Sequence, residues 1–75
     1  MDRKEILENF IESIGFEFHG ISYVYKKYKI DLWNDYYNFH NGYEWFYGID
    51  LNDLTLLEKY FKKELRSIKL KNILG

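Results

Sequence analysis

Three stretches of the chain carry three different rhythms of apolar and polar positions. From Asp2 to Ile14 the apolar residues are Ile6, Leu7, Phe10, Ile11 and Ile14. That spacing makes one stripe along a helix and leaves Arg3, Lys4, Glu8, Asn9 and Glu12 off it. Asp2 with Glu5 three residues on gives a box-like helix start. Gly15 stands where a helix ends on a left-handed residue. From Phe16 to Tyr47 the period drops to two and short turns recur, which predicts a meander of five strands. After Leu56 the helical period returns through Leu57, Tyr60, Phe61, Leu65 and Ile68. Thr55 with Glu58 reads as the capping box of this second helix, predicted to run to about Ser67–Leu70. The tail KLKNILG reads as a short added turn, with Ile73 and Leu74 tucked against the domain.

The meander can be checked for consistency. Four two-residue turns punctuate it: His19-Gly20, Lys26-Lys27, Asn34-Asp35 and Asn41-Gly42. Asn-Gly is the strongest, because both central positions of a type I′ turn need positive φ. Two-residue turns fix register. They pair Phe18 with Ile21, Tyr23 with Ile30, Tyr25 with Tyr28, Ile30 with Phe39, Leu32 with Tyr37 and Trp33 with Tyr36. In the last hairpin they pair His40 with Tyr43, Asn38 with Trp45, Tyr36 with Tyr47, Tyr37 with Phe46 and Phe39 with Glu44. Paired residues share a face. Face one collects Phe16, Phe18, Ile21, Tyr23, Tyr25, Tyr28, Ile30, Leu32, Tyr37, Phe39 and Phe46, with Glu44 its only charge. Face two is polar on the early strands (Glu17, Ser22, Val24, Lys29, Asp31). On the late strands it carries Trp33, Tyr36, Asn38, His40, Tyr43, Trp45 and Tyr47. Each helix has one stripe to bury and the sheet has one apolar face. The expected fold is therefore a two-layer α+β domain spanning residues 1–75: N-terminal helix, five-stranded antiparallel meander, C-terminal helix (α-β5-α).

Composition explains how so short a chain holds a core. A single small domain buries about 60% of its unfolded surface and needs a further source of stability. The chain has no cysteine, which rules out disulfides and thiolate metal sites and suits a reducing cytosol. Sixteen aromatic residues substitute, thirteen of them between Phe16 and Tyr47. Each can bury roughly 150–250 Å². Charge is uneven. Residues 1–58 hold five basic and eleven acidic residues, a net of −6, and residues 59–75 hold six basic and one acidic, a net of +5. No apolar run approaches the about 20 residues that span a bilayer. The N-terminus MDRKEILENF lacks the apolar core of a signal peptide. The expected location is the cytoplasm, with no membrane contact.

Three groupings are candidates for function. The first is the aromatic cluster of face two: Trp33, Tyr36, Asn38, His40, Tyr43, Trp45 and Tyr47. Tyr and Trp are enriched at binding hot spots, and aromatics on an open sheet also stack bases. The plainer alternatives are cross-strand pairing on a half-exposed sheet and coverage of this face by a helix. The second is the basic run Lys59, Lys62, Lys63, Arg66 and Lys69, candidate contacts for phosphate or an acidic partner. Its plainer alternative is a solvated helix face, and it holds one arginine, the residue suited to bidentate phosphate contacts. The third is His19 and His40 with Asp31, Asp35 and Glu44 not far off. Both histidines fall in or beside turns, and no His-x-x-x-His, helical carboxylate pair or glycine-rich phosphate loop exists. No catalytic, metal or cofactor residue is assigned.

The segments FHNGYEWFYGIDL and DLTLLEKYFKKELRSIKLKNIL resemble those of small proteins encoded by phages and mobile elements, as does the bias to Lys, Ile, Asn and Tyr. That resemblance implies a stand-alone inhibitor, such as an anti-CRISPR protein, that blocks a bacterial defence component by stoichiometric binding in the host cytoplasm, often as an oligomer. No residue role is carried over from it. The first expectation is thus a non-enzymatic binding protein, with face two as partner site or homodimer seam. The alternative is a small nucleic-acid or nucleotide binder that uses the basic helix and stacking aromatics.

Overall fold

The computed structural model describes the backbone of residues 2–74 and the side chains as far as Ile68. Helix α1 spans Arg3–Ile14. Strands β1 (Glu17–His19), β2 (Ser22–Tyr25), β3 (Tyr28–Leu32), β4 (Tyr36–His40) and β5 (Trp45–Asp50) follow. Helices α2 (Thr55–Tyr60) and α3 (Lys62–Leu74) close the chain. The strands lie antiparallel in sequence order in one open sheet, so the expected α+β meander between helices is what the chain forms. The reading of Lys69, Ile73 and Leu74 falls outside the described side chains.

Helix α1 starts where its cap allows. The Asp2 carboxylate accepts the Glu5 N–H at 2.8 Å, satisfying one of the first-turn donors. At the other end the Gly15 N–H reaches the Ile11 and Glu12 carbonyls. Leu7, Ile11 and Ile14 are buried and Phe10 packs against them, while Ile6 at the stripe's margin stays exposed. The covered sheet face contributes Phe16, Tyr23, Ile30, Tyr37 and Phe39 to the same core, and α2 adds Leu57. Phe61, between α2 and α3, is fully buried. Its ring centroid lies 4.8 Å from Tyr28, 5.4 Å from Phe16 and 6.0 Å from Phe39, in edge-to-face contacts that suit the ring quadrupoles. Both helical layers cover face one, as the stripes required.

The structure corrects the sequence reading at four places, each for a local physical reason. The C-terminal helix is two helices, the second running on to Leu74 rather than ending at Ser67–Leu70: φ −115° and ψ 27° at Phe61 interrupt it where that ring is anchored in the core. Thr55 is not the cap. The Asp53 carboxylate accepts the Thr55 N–H at 3.1 Å, and Tyr37 donates its hydroxyl proton to the Asp53 carbonyl, tying the helix entrance to β4. The first turn is Gly20-Ile21, not His19-Gly20: Gly20 takes φ +76° at the first central position, which a side chain would strain. Phe18 therefore pairs with Tyr23, and Ile21 leaves the core face for the turn tip.

The fourth correction is the last hairpin. Asn41 does not open a two-residue turn. Its carboxamide oxygen accepts the N–H groups of Tyr43 and Glu44 at 2.8 and 2.9 Å, and its amide donates to the Tyr60 hydroxyl at 3.0 Å. Those bonds bury Asn41 and stretch the connection to four residues. His40 pairs with Trp45 and Phe39 with Phe46, and Glu44 leaves face one. A bulge then takes up one residue of β5, so Tyr37 pairs with Ile49 and Tyr36 with Asp50. Gly48 sits in the bulge at φ +64°, with its N–H donated to the Asn38 side-chain oxygen at 2.9 Å. The Lys26-Lys27 turn holds as read, with Lys26 at φ +53°. Both ammonium groups lie over rings: that of Lys26 is 5.1 Å from the Tyr25 ring centroid and that of Lys27 5.6 Å from that of Tyr28.

Candidate functional site

Neither helical layer covers face two, and the structure divides the predicted aromatic cluster into two groups there. His40 and Trp45 face each other across β4 and β5 with ring centroids 4.9 Å apart. Trp45 stacks on Tyr47 at 6.0 Å, the planes 22° apart, and Tyr47 is 72% exposed. Trp33 and Tyr36 form the second group, stacked at 6.0 Å with planes 15° apart beside the β3–β4 turn. Four residue steps, about 13 Å, separate Tyr36 from His40 along β4. Tyr43 joins neither. It sits exposed in the β4–β5 connection, 5.2 Å beneath the Lys27 ammonium.

The polar members of the cluster are held by the fold. Asn38 is committed to the Gly48 bulge. His40 Nδ1 accepts the Gly42 N–H at 3.2 Å, which places the proton of a neutral imidazole on Nε2. The imidazole is thereby fixed against Trp45 with a donor on its far side. The Trp45–Tyr47 pair is thus a rigid platform with one oriented donor beside it. The early strands make the rest of face two polar, with Ser22 donating to the Asp31 carboxylate.

The basic residues stand on the other side of the molecule. Lys59, Lys62 and Arg66 border a groove between α1 and the C-terminal helices, with Phe10, Leu65 and Ile68 along it. Lys63 is exposed on α3. No one surface presents both these cations and the stacked rings, because the sheet and its core lie between them. His19 is exposed, 3.7 Å from the Glu17 carboxylate. Among the described residues no three His, Asp or Glu side chains are grouped to hold a metal ion, and no helix is long and apolar enough to cross a membrane.

Two tyrosines have raised phenol pKa values. Burial, and then the neighbouring Glu8 carboxylate, push Tyr23 up to about 12, and its hydroxyl donates to that carboxylate at 3.2 Å. Burial first and Asp53 second raise Tyr37 further. Both hydroxyls join layers of the core, and neither opens onto face two.

A second surface went unread in the sequence. Where the β1–β2 turn stops short of β3, the sheet end leaves a notch bordered by Phe18, Ile21, Leu32 and Trp33, with Lys4 and Glu8 of α1 on its rim. Ile21 is 89% exposed and Phe18 59%. The signal was present in Gly20, whose demand for the first central turn position moves Ile21 out of the strand. Compared with known protein families, curated proteins and solved structures, the chain matches none.

Proposed function

We propose that this chain is a non-enzymatic binding protein that captures a protein partner on the uncovered sheet face, at the platform of His40, Trp45 and Tyr47. The observation that carries the reading is the stacked Trp45–Tyr47 pair on a face that no helix covers, with Tyr47 exposed and Trp45 half-buried beside it. A fixed ring loses little conformational freedom on binding and brings a large apolar area, and Tyr and Trp dominate binding energy at interfaces for that reason. The resemblance to small phage-encoded inhibitors makes a bacterial defence component the first partner to test, with stoichiometric blockade as the mechanism. Tyr36 forms a secondary contact on the same face.

The test uses purified defence complexes and matched baits: wild type, Trp45→Ala with Tyr47→Ala, and Lys62→Glu with Lys63→Glu and Arg66→Glu. The expected result is a partner bound by wild type and by the charge-reversed protein, and weakened at least about 100-fold by loss of the two rings. Equal binding by the ring-deleted bait would sink the assignment. Binding lost instead on charge reversal, with a steep salt dependence, would move the function to the basic helices and a nucleic acid or nucleotide.

A further inference from the structure

We infer that the notch at the β1–β2 end of the sheet is the seam of a homodimer, in which Ile21 of each copy fills the hollow of the other. The inference is independent of the platform on face two, which lies at the β4–β5 end of the sheet. Exposed tyrosines keep a hydroxyl in water, but Phe18 and Ile21 have no polar group to hydrate, and they stand 59% and 89% exposed side by side. Trp33, 52% exposed, extends the patch along β3. These three side chains and the adjoining Leu32 present roughly 400–500 Å² of apolar area. That lies within the roughly 300–600 Å² of a monomer's largest apolar patch, which is often a functional one. The patch would supply the apolar centre, about half, of the roughly 800 Å² per partner of a stable interface.

The shape favours a second copy over an unrelated partner. A twofold seam requires one patch to be complementary to itself. Here a knob and a hollow are neighbours: Ile21 at the tip of a tight turn, and the notch between Phe18, Leu32 and Trp33 beside it. A twofold axis through the patch can set each knob into the opposite hollow. The rim charges fit the same symmetry. Lys4 and Glu8, one turn apart on α1, both border the notch, so an antiparallel approach of two copies of α1 sets unlike charges together. The turn also explains itself in this way. Gly20-Ile21 spends its second central position on a large aliphatic residue that touches no core within its own chain.

Sedimentation equilibrium on the purified chain is the test, over about a hundred-fold range of concentration, with Ile21→Asn, Ile21→Glu and Tyr47→Ala alongside. Asn suits a tight turn, so the first variant keeps the fold, as circular dichroism will register. Wild type and Tyr47→Ala are expected to reach the mass of two chains, with both Ile21 variants weakened at least about ten-fold in self-association. A wild type that stays at one-chain mass throughout overturns the proposal. So does an Ile21→Asn protein that pairs as tightly as wild type, or a dimer abolished by Tyr47→Ala alone, which would place the seam on face two.

Discussion

The two faces of this sheet are built from the same residue types and do opposite things. On the covered face, Phe39 and Phe61 meet in a cluster of rings from which water is excluded. On the open face, Trp45 and Tyr47 stack at a comparable spacing, but Trp45 is only half-buried and Tyr47 stands 72% exposed. Aromatic pairing therefore does not decide which rings are core. The helical stripes decide it, because Leu7, Ile11, Leu57 and Phe61 need a face to bury against and the sheet offers its less polar one. The open face is left with rings held in place by strand pairing alone, which stabilises modestly.

The comparison can be broken by substitution. Phe39→Ala should have the largest effect, about 3–5 kcal/mol of stability by urea denaturation, because it empties a fully buried site. A loss below about 1 kcal/mol would mean that the covered face is not the core. Asn41→Ala comes next. It strands the N–H groups of Tyr43 and Glu44 and the Tyr60 hydroxyl, at about 1–3 kcal/mol, and should release the four-residue connection, visible as faster amide exchange there. Gly48→Ala should remove about 1–2 kcal/mol, through φ alone, since nothing lies near the added methyl group. Trp45→Ala with Tyr47→Ala should change stability least, within about 1 kcal/mol, while weakening the proposed partner binding at least about 100-fold. A cooperative loss of fold in that double variant would erase the distinction between the faces.

Alkali probes the covered face without mutation. A phenol whose pKa is raised by folding stabilises the native state fully below its unfolded value, and that contribution is lost as pH climbs toward the folded value. Tyr23 and Tyr37 both rise from about 10. Stability should therefore be flat in this respect at neutral pH and fall above about pH 10. Tyr23→Phe should lessen the alkaline slope in a pH series of thermal unfolding. An unchanged slope would mean that Tyr23 titrates like a free phenol.

The difference between the faces was largely legible in the sequence, and its outcome at the site was less so. Register parity follows from pairs such as Tyr23 with Ile30 and Leu32 with Tyr37, and two-residue periodicity carried that parity across all five strands. It survived the misplaced turns at Gly20 and Asn41 because each moved the pairing next to it by two residues, which returns side chains to the same face; past Phe39 and Phe46 the bulge makes the shift three. The Gly48 bulge was not legible. Its cause is a side chain on the neighbouring strand, Asn38, taking a backbone N–H.

By itself, then, the order of residues determined the element sequence, the sheet order and which rings turn toward the helices. Those follow from local periodicity and from the need to bury two stripes against one face. Tertiary structure alone decided that Asn41 would be drawn inward by Tyr60, that α2 and α3 would part at Phe61, and that Ile21 would stand out at the rim of a notch. Each of these depends on contacts between residues distant in the chain or on the conformation one glycine accepts, and neither is encoded in a repeating pattern.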